Sequence, residues 1–287
     1  MNFKVIPYIG TLMLLISWCT QALADKLPRN RHFPEADYPF AQAPDGCSGL
    51  DSDIPEEVRD NWGIVDFTDS CNKHDICYYT LGTDSESCNK DFKADLIDAC
   101  EDKVEAVPAF FATLPLCKQI AVAYWAGAVV AAEYDHVYDD AQELQQDYQN
   151  YADQVFTDIF KKLTGRTIRG GDIRRARATL LTGSLLDVES QIVARYGGEI
   201  VQEAYRRIAG GTLSEPEIHT MMGYLQSYGF DRLAPELMNR YTQRIIVDLH
   251  FEIKGTRTIS PVKLLLYKNR LIDSKDPEQV RSLIRYF

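Results

Sequence analysis

Several absences bound this chain. No internal repeat of roughly 20–50 residues is visible, which sets solenoids aside. The charge balance is not basic: 31 Lys and Arg stand against 42 Asp and Glu, a net of -11. A general nucleic-acid binder would carry a basic footprint, so no nucleic-acid partner is expected. The apolar runs at Val5–Trp18 and Ile120–Ala132 are shorter than the roughly 20 residues a spanning helix needs. No cysteine follows Cys117. What is present, 287 residues at 45% hydrophobic and 25% charged, excludes a wholly disordered chain and suffices for one large domain or two ordinary ones.

The first 24 residues read as a secretory signal: Lys4 supplies the positive start, an apolar run follows, and Ala22-Leu23-Ala24 fits a small-x-small cleavage site. The expected location is secreted or periplasmic. Apart from Cys19 in that segment, the cysteines are Cys47, Cys71, Cys77, Cys88, Cys100 and Cys117. An even count in an exported chain reads as three disulfides.

Charge divides the chain as the cysteines do. Residues 25–153 hold 9 basic against 27 acidic side chains, and residues 154–287 hold 21 against 15. Two units with different surroundings are one reading, and two mutually attractive surfaces of one protein are the other.

Pattern and punctuation predict a short helix opening at Pro55, then helices over Asp66–Leu81 and Ser85–Val104, and a long helix from Lys118 to about Ala152. Within the last, the uncharged Ile120–Ala132 is expected to be a buried core helix. Gly170-Gly171 and Gly210-Gly211 read as breaks, with helices over Leu185–Ala209 and Glu215–Tyr228. Arg244–Ile253 alternates through Ile245, Val247, Leu249, Phe251 and Ile253, so it reads as a strand pairing with Val262–Tyr267 in a β-hairpin. A last helix opens at Asp276-Pro277-Glu278.

The chemistry concentrates in Cys71-Asn72-Lys73-His74-Asp75-Ile76-Cys77-Tyr78. Neighbouring residues on a helix diverge by about 100°, so Asp75 is poorly placed to orient His74 and better placed to serve a cation. Cys71 and Cys77 lie about 9 Å apart along such a helix and Cys88 and Cys100 about 18 Å apart on the next, both beyond disulfide reach. Each helix must therefore be tied to other segments, which makes the pair a rigid platform.

The motif C-x-x-H-D-x-C-Y, followed by Cys88-Asn89-x-x-Phe92 and preceded by Pro44-Asp45-Gly46-Cys47-Ser48, resembles the secreted phospholipase A2 family, in its atypical branch with a P-x-G-C-S calcium loop. The resemblance covers roughly Asp45 to Ala152. It implies a mainly α fold: a disulfide-linked antiparallel helix pair in a phospholipase A2-like domain over residues 25–153. A mostly helical C-terminal domain of unknown function, carrying the hairpin, would occupy residues 161–287.

The implied activity is calcium-dependent hydrolysis of the sn-2 ester of glycerophospholipids at a membrane or micelle surface. By the same resemblance His74 is the general base, Tyr78 bonds the catalytic network, and Ca2+ is held by Asp75 and the carbonyls of Gly46, Ser48 and Leu50. The implied disulfides are Cys47–Cys71 and Cys77–Cys88, which leaves Cys100 with Cys117.

The departure that matters is Asn89, where the family usually places an aspartate to orient the histidine. Asn can accept the ring N–H but brings no charge to an imidazolium. Asp91 and Asp95 lie on other faces of the helix. Ser70 stands where many members have a further cysteine. The alternatives are a phospholipase-like binding or toxin module with weak or lost catalysis, a zinc site on Cys71, His74 and Cys77, and a plain core histidine. No motif in residues 161–287 names an activity, and a protein partner or an anionic membrane for that part stays open.

Overall fold

The computed structural model describes residues 26–47, 60–63, 65–134 and 136–287. The signal segment, the helix expected at Pro55, and Ser48 and Leu50 lie outside the described residues. The chain divides into two units, Met1–Tyr151 and Ala152–Phe287.

In the first unit a short antiparallel pair, β1 (Asn61–Trp62) and β2 (Val65–Asp66), leads into helix α1 (Thr68–Tyr78). Asp66 starts α1 by accepting the main-chain N–H of Thr68 at 2.9 Å. The helix ends at Tyr78, short of Leu81, and Gly82 takes a left-handed φ of 81° in the turn that follows. Helix α2 (Ser85–Ala106) is capped by Asp84, whose carboxylate accepts the Ser87 N–H. A 3₁₀ turn (Pro108–Thr113) and helix α3 (Leu114–Tyr134) follow.

Three disulfides staple these elements. Cys47–Cys71 ties the loop before the strands to α1, Cys77–Cys88 joins α1 to α2, and Cys100–Cys117 joins α2 to α3. One bridge thus joins the α1–α2 pair internally, and each of the two helices has one further tether, α1 to the preceding loop and α2 to α3. With all six sulfurs so engaged, the zinc reading is overturned. Phe67, Phe92, Leu96 and Ala121 fill the core around these cysteines.

Two expectations for this region fail. The long helix of Lys118–Ala152 is two helices, because the chain turns at His136, with φ 55°, before α4 (Val137–Thr164) begins. Nor is α3 a buried core helix. Only Cys117 and Ala121 are buried on it, while Leu116, Val122 and Val130 are exposed. With the preceding turn, Ala109–Tyr134 is long and apolar enough to cross a membrane by length and composition, and 11% of its most apolar stretch is buried. Its inward face holds Ala121 and Cys117, the latter bridged to α2.

Helix α4 carries Asp139 and Asp140 in its first turn and Lys161 and Lys162 in its last, each complementing the helix dipole. The second unit continues with α5 (Gly170–Thr182), α6 (Leu185–Ile192), a π-helical turn (Val193–Gly197), α7 (Gly198–Ala209) and α8 (Glu215–Tyr228). Then come α9 (Leu233–Lys254), α10 (Pro261–Ser274) and α11 (Pro277–Tyr286). Gly170-Gly171 opens α5 rather than separating helices, whereas Gly210 ends α7 in a left-handed cap. Ser184 and Ser214 form capping boxes, and Asp276 caps α11.

The β-hairpin is a correction. Residues 244–253 lie within α9 and residues 262–267 within α10. The alternation was incidental: the buried residues are Ile245, Ile246, Leu249 and His250, a helical spacing, while Phe251 is exposed. Ile245, Ile246 and Leu249 join Val201, Tyr205, Met221, Leu237 and Tyr267 in one hydrophobic cluster.

Candidate active site

Helices α1 and α2 converge on His74. Its Nε2 lies 2.8 Å from the Oδ1 of Asn89, and the hydroxyl of Tyr78 donates to the same Oδ1 at 2.9 Å. Tyr78 sits one turn beyond His74 on α1, and Asn89 follows the Cys77–Cys88 bridge into α2, so the disulfide fixes the register of the contact. An oxygen that accepts from Tyr78 also accepts from His74, which puts the imidazole proton on Nε2 and leaves Nδ1 as the ring's lone pair. The ring is clamped between Tyr78 and Phe92, at centroid distances of 4.2 Å and 4.4 Å.

Tyr78 and Asn89 are buried. Burial lowers the His74 pKa below its ordinary 6.5, and the bond to Asn89 offsets this only in part. The imidazole is therefore neutral at pH 7, as a proton acceptor must be. Burial raises the Tyr78 pKa, which keeps the phenol protonated as a donor.

Asp75 turns away from His74, toward the loop at residues 44–47. Its Oδ2 accepts the Asp45 N–H at 3.4 Å, and Asn72, one turn earlier on α1, accepts the Gly46 N–H at 2.9 Å. The Cys47 N–H donates to buried Asp60 at 2.9 Å. Gly46 has φ 76°, and a Cβ there would lie 2.5 Å from Asp60 Oδ2, so the close approach requires glycine.

The Asp75 pKa is raised to about 7, first by burial, then by the negative charges of Asp45 and Asp60, with the Asp45 N–H opposing. A hard cation would relieve that repulsion. Among the described residues no three His, Cys, Asp or Glu side chains converge as a metal site. The Asp75 carboxylate faces the cavity, and a carboxylate oxygen is a ligand that suits calcium.

A cavity of about 160 Å³ opens onto His74 and Asp75, walled by Phe92 and Tyr124 and by Gly127, Ala128 and Ala131 of α3. The structure thus brings His74, Tyr78 and Asn89 together and sets Asp75 and Gly46 at the same cavity. Sequence reasoning missed Asn72 and Asp60. Asn72 could have been found, because it precedes Asp75 by three residues and shares its helix face. Asp60 carries no local signal, since only the folded loop brings it to Cys47.

A family model described as "Group XII secretory phospholipase A2 precursor" matches residues 20–131, less than half of the chain. No curated protein and no solved structure matches the chain. The matched stretch holds the loop, both helices of the pair and all three disulfides. The N-terminal part of this chain is thus similar, over residues 20–131, to the group XII secretory phospholipases A2.

Proposed function

We propose that the first unit hydrolyses the sn-2 ester of glycerophospholipids with calcium held at Asp75, releasing a fatty acid and a lysophospholipid. The observation that carries this reading is His74, its Nε2 2.8 Å from the Asn89 oxygen that also accepts from Tyr78, in a largely apolar cavity beside Asp75.

His74 Nδ1 accepts a proton from a water, whose oxygen forms the new bond to the ester carbonyl carbon. As the bond from that carbon to the glycerol oxygen breaks, the imidazolium returns its proton to the leaving alkoxide. Asn89 and Tyr78 hold the imidazole in the productive tautomer, and Phe92 fixes the ring plane. Asp75 and the Gly46 carbonyl would hold the calcium, with Ser48 and Leu50 proposed as further carbonyl donors. Bound there, calcium supplies polarisation of the ester carbonyl and stabilisation of the oxyanion.

The small residues of α3 suit an acyl chain in the cavity, and its exposed Leu116, Val122 and Val130 suit a lipid surface. The disulfides and the precursor family agree with an exported enzyme. Fatty-acid release by the purified chain, with calcium, with a chelator and with His74→Gln, tests the reading. Calcium-dependent release lost in the variant is expected. Release that survives the substitution would contradict it. A folded chain without release would favour a binding module, the reading that the uncharged Asn89 supports.

A further inference from the structure

Helix α10 of the second unit is apolar on two opposite faces. Its inner face buries Tyr267 and Leu271. On the outer face Val262 is 79%, Leu265 59%, Leu266 42% and Ile272 59% exposed. These four fall within an arc of about 120° on the helical wheel, interrupted by Asn269 and, near the end, Asp273. A helix that merely covers a core would present polar residues there.

The flanks are basic. Lys263 and Arg270 border one side of the arc and Lys268 the other, where long side chains can lift their charge above a buried apolar stripe. Lys263 also donates to the Phe287 main-chain oxygen at 3.0 Å, which holds Tyr286 and Phe287 beside this face. Tyr286 is 84% and Phe287 52% exposed. An apolar stripe edged by Lys and Arg, with aromatic rings beside it, has the chemistry of a helix lying in a lipid interface.

We infer that the outer face of α10, with Tyr286 and Phe287, docks the chain on an anionic lipid surface. Charge favours this occupant. Residues 154–287 carry 21 basic against 15 acidic side chains, while residues 25–153, at 9 against 27, would be repelled. The choice of a lipid over a protein partner rests on the hydrolytic reading of the first unit, and the geometry of the face does not.

The test is co-sedimentation of the full chain carrying His74→Gln, which leaves the lipid intact, with chelator present. Vesicles of phosphatidylglycerol and phosphatidylcholine are compared with phosphatidylcholine alone. Preferential binding to the anionic vesicles is expected, weakening as salt is raised. Leu265→Asp with Ile272→Asp, both at exposed positions, is expected to lower that binding by about tenfold or more. Lys263→Gln and Lys268→Gln are each expected to lower it about fivefold.

Unchanged binding in the double variant, with an unchanged melting temperature, would overturn the inference. So would absence of anionic preference in the parent chain, or a dimer that the double variant dissociates without vesicle binding. If the unsubstituted chain fails to hydrolyse lipid while vesicle binding still depends on Leu265 and Ile272, the catalytic reading falls and this one stands.

Discussion

Replacing Asn89 by Asp puts a full charge where a neutral oxygen lies 2.8 Å from His74 Nε2. A carboxylate in that position stabilises the imidazolium and so raises the His74 pKa. Two unit charges about 4 Å apart at an effective dielectric of about 20 interact by about 4 kcal/mol, or about 3 pKa units. Part is lost to the cost of burying the new carboxylate, so a rise of about 1–3 units is expected. In the unsubstituted chain, burial holds the His74 pKa below 6.5. Its kcat/KM therefore falls only as the pH drops below that value. The assay is the pH profile of kcat/KM at saturating calcium, which removes Asp75 from the titration, beside an NMR titration of the His74 ring. The acid limb of Asn89→Asp should move to higher pH by about 1–3 units. Its rate above that limb should equal or exceed that of the parent, since the imidazolium formed in the reaction gains a counter-charge. An unmoved limb would refute the reasoning, because it would mean that position 89 does not contact the catalytic ring in solution.

Three further outcomes follow from the loop and the disulfides. Protons and calcium compete for Asp75: its folded-state pKa of about 7 lies above the ordinary 3.8, so the metal-free fold favours the protonated acid and loses stability as pH rises from 3.8 to about 7. Calcium should therefore raise the melting temperature more above pH 7 than below it, and an equal rise at both would contradict the Asp75 assignment. Gly46→Ala forces a side chain onto Asp60 at a left-handed φ, and a loss of about 1–3 kcal/mol in chemical denaturation is expected; a neutral result would refute the close approach. Removing Cys100–Cys117, which spans 17 residues, by Cys100→Ala with Cys117→Ala should cost about 3 kcal/mol, and an unchanged denaturation midpoint would argue against that pairing.

Much of the site was legible because it is local. His74, Asp75 and Tyr78 lie within one turn or so of a helix whose cysteines cannot pair with each other, and Asn89 follows a cysteine tied back to that helix. Helix α8 and the Asp276 cap were equally plain, because Ser214, Pro216 and Pro277 punctuate them. What was illegible depends on partners distant in sequence. The alternation of residues 245–253 satisfied a strand pattern, yet the neighbours in α7 and α8 select Ile245, Ile246 and Leu249 as a helical face. The break at His136 has no glycine or proline to announce it. Hydrophobicity alone predicted burial for α3, but among the described residues its outer Leu116, Val122 and Val130 are exposed. Asp60 reaches Gly46 and Cys47 only through the folded loop.

The most direct test of the central claim is the identity of the products from a phosphatidylcholine carrying palmitate at sn-1 and oleate at sn-2, read by mass spectrometry. The account predicts oleate and palmitoyl-lysophosphatidylcholine from the parent chain with calcium, and neither with chelator or with His74→Gln. Release of palmitate in equal measure, or oleate release undiminished in His74→Gln, would contradict it.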